Sequence, residues 1–192
     1  MKRDVRITTI YEGTSEIQQS IIGMFRWKET VRSKGEFYGR LAAELDEVHA
    51  NNAAAGAGMA AAAVRGLNDT IMYAHQNRQT RSQIVMFTFA DMMTVCEVAA
   101  ATAEKAARLA AEGHAEADVH LAASRVFARK AARTVSDAAE RCAGGLWDGA
   151  DAARLAAGAA LLAGVRERMP LELVAGLWTD MARVGEHLKT ID

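Results

Sequence analysis

No proline occurs in this chain before Pro170, and 41 of its 192 residues are alanine. Proline disrupts a helix interior at a cost of about 3 kcal/mol, whereas alanine is the strongest helix former. A chain with this bias has little alternative to helix. We therefore read an all-α fold, an antiparallel helical bundle behind a short irregular N-terminal lead. A hydrophobic content of 51% excludes intrinsic disorder. With 23 Lys and Arg against 24 Asp and Glu, the formal charge is −1. That balance lacks the basic excess that a general nucleic-acid binder needs to neutralise phosphates. Cys96 and Cys142 make neither a disulfide framework nor a zinc set, and they fit a reducing, cytoplasmic setting. Behind Met1-Lys2-Arg3-Asp4 there is no apolar run of the kind a signal peptide carries. The most apolar stretches, 53–64 and 155–165, fall short of the ~20 residues of a spanning helix and read as close-packed helices.

Hydrophobic spacing divides the chain. Residues 4–12 are rich in β-branched side chains without a helical stripe and form the irregular lead. Ser15 and Gln18 have capping-box spacing, with Glu16 in the first turn, so a helix should start there and run to about Arg32. Ser33-Lys34-Gly35 is its stop. Phe37, Leu41, Leu45 and Val48 predict an amphipathic helix ending near Asn51. A small-residue helix follows over 53–76, where Gly56, Gly58 and Gly66 permit close backbone approach. Over 79–112 the apolar stripe is Met86, Phe89, Ala90, Met93 and Val98, with Glu104, Arg108 and Glu112 on the solvated face. Helices over 117–143, 148–164 and 170–188 complete the set, with Pro170 at a first helical position.

Most chemistry-bearing side chains have a plain structural reading. The five histidines never fall at the spacing that places two ligands on one helix face, so no metal site is expected. Both cysteines lack an activating base nearby and read as filler. Arg125, Arg129, Lys130 and Arg133 form a basic row that could dock an acidic partner or an anionic headgroup. The favoured reading is a solvated face balanced by Glu116, Asp118, Asp137 and Glu140. Trp147 and Trp178 read as packing anchors beside helix ends.

One segment stands apart. The string Arg3-Asp4-Val5-Arg6-Ile7-Thr8-Thr9-Ile10-Tyr11-Glu12-Gly13-Thr14-Ser15-Glu16-Ile17-Gln18 resembles the C-terminal signature of the acyl-CoA dehydrogenase family. There an aromatic-Glu-Gly-Thr-x-(Glu/Gln)-Ile motif follows an Arg-Asp-x-(Lys/Arg)-Ile lead and opens a helix of the C-terminal helical domain. The resemblance implies that Glu12 is the general base removing the α-proton of an acyl-CoA thioester. It implies that Tyr11 and Gly13 contact the substrate, and that Thr14, Ser15 and Glu16 lie along the flavin. It also implies FAD as the cofactor of a full-length parent, with electron-transfer flavoprotein as electron acceptor. Gln19 departs from the family, where many members have Arg.

In complete family members this string lies near the C-terminus, behind the flavin- and substrate-binding domains, whereas here it starts at residue 3. No Gly-rich nucleotide loop or alternating strand pattern follows it. We accordingly expect residues 1–34 to be the end of the family's C-terminal helical domain and 35–192 to be an additional helical bundle, similar to that of the very-long-chain type. This region would then be the C-terminal part of an enzyme converting acyl-CoA to 2-enoyl-CoA, with no flavin bound to this chain alone and no activity by itself. An alternative is a stand-alone helical oligomerisation or docking module that keeps the signature as ancestry. The resemblance associates the stretch after the signature with membranes, but Glu44, Asp46 and Glu47 argue against an anionic bilayer there. By the resemblance, the apolar face of the first helix (Ile17, Ile21, Ile22, Met24, Phe25, Trp27) would lack part of its partner surface, so it should fold back on the 35–192 bundle or pair with a second copy, and a homo-oligomer is expected.

Overall fold

The computed structural model describes residues 13–144, 152–169 and 175–190. Among these residues there are seven α-helices and no strand: α1 (Ser15–Arg32), α2 (Glu36–Asn51), α3 (Ala57–Gln76), α4 (Gln83–Ala111), α5 (Ala117–Gly144), α6 (Ala152–Arg168) and α7 (Leu177–Leu188). The all-α bundle and the span of its first helix agree with the sequence reading.

The α1–α2 turn shows why its stop signal works. The Gly35 N–H donates to the Thr30 carbonyl (2.8 Å) and the Lys34 N–H to that of Val31 (3.1 Å). This paired closure satisfies the last carbonyls of α1, and Lys34 accepts a left-handed φ of 53° to complete it. The helix expected over 53–76 is instead two pieces. Asn52 accepts from the Ala54 N–H (3.1 Å) and holds a 3-10 turn over Ala53–Ala55; Gly56, at φ 74°, then redirects the chain into α3. A second 3-10 turn, Gln79–Arg81, likewise precedes α4.

Helix α3 is the axis of the bundle, buried on nearly every side from Ala57 to Ala74, with α2, α4, α5 and α6 against it. Alanines such as Ala60, Ala63, Ala99, Ala103, Ala131 and Ala139 are fully buried. Small side chains let the helices approach closely, and a few bulky groups (Tyr38, Leu45, Leu67, Ile71, Phe89, Met92, Met93, Val135) fill the space between them. Gly66 shows how tight the fit is: a methyl there would meet Val135 Cγ1 at 2.9 Å.

Other expectations are corrected. Val98 points outward, and α6 continues through Gly164 to Arg168. Trp178 is 81% exposed and anchors nothing. Trp147 and Pro170 lie outside the described residues. By length and composition α4 could cross a membrane, with a mean hydropathy of 1.6 over its most apolar window. In the bundle it is a core helix, with Phe89, Met92, Met93 and Cys96 completely buried.

Candidate functional site

The start of α1 carries four of the six residues singled out by the sequence. Tyr11 and Glu12 lie outside the described residues. Gly13 sits at φ 111°, a backbone conformation that a side chain would strain. Thr14, extended at φ −62° and ψ 159°, is the N-cap, and Ser15 is the first helical residue. The capping box expected from Ser15 and Gln18 does not form: Thr14 takes the cap position, and its side chain makes no cap hydrogen bond. Glu16 is exposed and held below the ordinary carboxylate range, chiefly by its own backbone N–H and then by the Thr14 hydroxyl. Gly13 to Glu16 thus form an open, polar helix start with side chains facing water.

What fixes this helix start in space is the seat of α1 on α4. Gly23 is buried where a methyl would come within 2.6 Å of the Met86 carbonyl oxygen. The Gln19 side-chain amide donates to Asp91 (2.8 Å), and the Arg26 guanidinium pairs with Glu97 (2.9 Å). Glu97 also accepts from the hydroxyl of the fully buried Tyr38 (3.0 Å), so one carboxylate joins α1, α2 and α4. Burial first, and then the Glu97 charge, pushes the Tyr38 phenol well above its usual range. The other side of α1 stays uncovered: Ile17 is 52% exposed and Phe25 69%. Beside them Ile21, Ile22, Thr94 and Val98 line an apolar groove of about 370 Å³.

A second polar centre lies at the other end of the chain. Asp180 of α7 is buried, accepting from Arg125 Nε (2.9 Å) and Arg129 Nη1 (2.6 Å). Arg129 also donates to the Ala175 carbonyl, and Arg125 to that of Ala54 (2.8 Å). Burial opposes the Asp180 charge, but the two guanidiniums outweigh it and hold the carboxyl below its usual range. The basic row is therefore not simply a solvated face. Periodicity could not find this, because the counter-ion lies on a helix about fifty residues downstream.

Burial raises the Cys96 thiol and pushes that of Cys142 up to about 11, so neither is a nucleophile. His114 and His120 stack edge-on across the α4–α5 turn at 6.3 Å, and among the described residues no group of side chains could hold a metal ion.

Against known protein families, residues 43–167 match the acyl-CoA dehydrogenase C-terminal domain. The match spans more than half of the sequence. The chain belongs to the acyl-CoA dehydrogenase family. No curated protein and no solved structure matches it. The matched stretch begins within α2 and ends within α6, so it does not overlap the signature-like string at residues 3–18. Two separate parts of the sequence thus point to one family, and the alanine-rich bundle carries the stronger evidence. Acyl-CoA dehydrogenases are in general FAD-dependent, soluble homo-oligomers that act on acyl-CoA and pass electrons to electron-transfer flavoprotein.

Proposed function

We propose that this chain is the C-terminal region of an FAD-dependent acyl-CoA dehydrogenase, and that the segment Tyr11–Glu16 forms one wall of its active site. The observation that carries the proposal is the family match over 43–167, preceded by a Tyr-Glu-Gly-Thr-Ser-Glu-Ile string leading into the polar start of α1. In this reading residues 1–34 close one helical unit and 35–192 form a second, of the very-long-chain type. FAD, where bound, supplies the acceptor for the hydride that leaves the substrate β-carbon.

The chemistry asks four things of these residues. An α C–H beside a thioester is a very weak acid, so its base must be a carboxylate whose pKa is raised by desolvation. Glu12 fills that role by taking the α-proton onto a side-chain oxygen. The thioester oxygen gains charge as the proton leaves, and in this reading the Glu12 backbone N–H donates a hydrogen bond to it. Gly13, without a side chain and at positive φ, allows the backbone to lie close to the substrate. Thr14, Ser15 and Glu16 would hold the edge of the flavin. They fit such a contact because all three are exposed on an open helix start with polar side chains and first-turn N–H groups. They do not enclose a flavin, and its remaining contacts belong to a flavin-binding body.

Residues 1–192 alone should therefore be colourless after purification and inactive with acyl-CoA of any chain length, in the reducing cytoplasm or in vitro. The test is the visible absorption spectrum of the purified chain, together with dehydrogenation assayed with added FAD and an artificial electron acceptor. A yellow preparation or measurable 2-enoyl-CoA formation would overturn this reading. The exposed stripe Ile17, Ile21 and Phe25 favours assembly with a further surface, whether a flavin-binding body or a second copy.

A further inference from the structure

A cavity of about 330 Å³ lies between α5 and α7, away from the start of α1, and its lining is chemically divided. One wall is cationic: Arg129, Lys130 and Arg133 of α5. The other is apolar: Val126 of α5 with Leu177 and Met181 of α7. We propose that this cavity binds a small amphiphilic anion, a single phosphate or carboxylate on a short apolar body.

Three observations support it. First, the charge is uncompensated. Lys130 and Arg133 are exposed and make no ion pair among the described residues, and the one carboxylate in the lining, Asp137, is turned to Arg141 (3.3 Å). Second, the site is anchored. Arg129 is only 5% exposed, fixed by Asp180 and the Ala175 carbonyl. Held in this way, Arg129 is a fixed cation in the cavity wall, and a charge-assisted hydrogen bond from a fixed guanidinium costs an anion little ordering. Asp180 is shared between Arg129 and Arg125, so it does not serve Arg129 alone. Third, the volume suits a small molecule, and the Leu177 and Met181 side chains offer an apolar body a matching wall opposite the cations. An inorganic ion would leave that wall unused, and a purely apolar ligand would leave the cations unpaired.

The inference is independent of the role proposed for residues 11–16. The test is calorimetric titration of the full 192-residue chain with n-octyl phosphate, inorganic phosphate and phosphatidylglycerol vesicles. Octyl phosphate should bind saturably at one site per chain. Affinity should fall about tenfold or more in the double variant Lys130→Ala, Arg133→Ala, two exposed positions whose loss leaves the fold intact by circular dichroism. Inorganic phosphate should bind more weakly than the octyl ester, and Arg32→Ala, at an exposed position outside the lining, should leave octyl phosphate affinity unchanged. The proposal is overturned if octyl phosphate does not bind at millimolar concentration, or if the double variant binds it as well as the wild type. Equal affinity for inorganic phosphate removes the apolar wall from the site. Binding to vesicles without binding to the free ester would make the face a membrane contact instead.

Discussion

Replacing Gly23 by alanine tests how the start of α1 is held. Two opposed effects act at this position. Alanine in place of a helical glycine gains about 1 kcal/mol of helix propensity. Against that, the new methyl would lie 2.6 Å from the Met86 carbonyl oxygen, a backbone atom in the first turn of α4. Carbon–oxygen contacts settle at roughly 3.3 Å or more, so α1 must lift by about 0.7 Å along this contact. That displacement strains the Gln19–Asp91 and Arg26–Glu97 links on either side. Overpacking of this kind costs about 1–3 kcal/mol, and a rigid carbonyl places it toward the upper end. The net expectation for Gly23→Ala is a loss of about 1–2 kcal/mol after the propensity gain. Gly39 in α2 is the control, because a methyl there meets nothing within 4 Å. Gly39→Ala should gain about 0.5–1 kcal/mol from propensity alone. Urea denaturation followed by circular dichroism reads both, with the shift in midpoint at unchanged slope as the stability change. Equal stabilisation by the two substitutions would mean that α1 is not seated on α4 as described.

Asp180→Asn should cost about 3–5 kcal/mol, because it leaves Arg129 buried opposite a neutral group; chemical denaturation checks the value. The Asp180 carboxyl is lowered in the folded chain, so its stabilisation is complete above the ordinary carboxylate range and is lost as pH falls below about 4. Wild-type stability should drop in that window, and the asparagine variant should show a shallower decline. The Cys96 and Cys142 thiols, both buried and raised in pKa, should react with a thiol reagent at neutral pH only as fast as the chain opens. Rapid labelling of either in the native protein would contradict the packing of α4 against α5.

The fold was legible because its information is local. Alanine content, the missing proline and the Ser33–Gly35 stop act within one or two turns, and α1 through α5 lie close to where the spacing placed them. Errors arose where a competing local contact won. Asn52 captures the Ala54 N–H and breaks the expected helix at Gly56, and Thr14 rather than Ser15 takes the extended cap position. A second kind of error came from tertiary partners. Arg129 looked solvent-facing until Asp180 covered it, and Trp178 turned outward because the inner face of α7 is given to Asp180. The candidate site was legible as a string of residue types, since glycine and small polar groups at a helix start have a chemical reason. What surrounds that string depends on surfaces that these described residues do not supply.

The central claim is that Glu12 is the base in a flavoprotein carrying these residues, and turnover of its Glu12→Gln variant tests it most directly. Glutamine keeps the size and hydrogen-bonding capacity of the side chain and removes its ability to take the α-proton. Acyl-CoA turnover should fall by about a hundredfold or more, the usual worth of a positioned general base, while flavin content stays at the wild-type level. Near-normal turnover at full flavin content would contradict the assignment and place the base elsewhere.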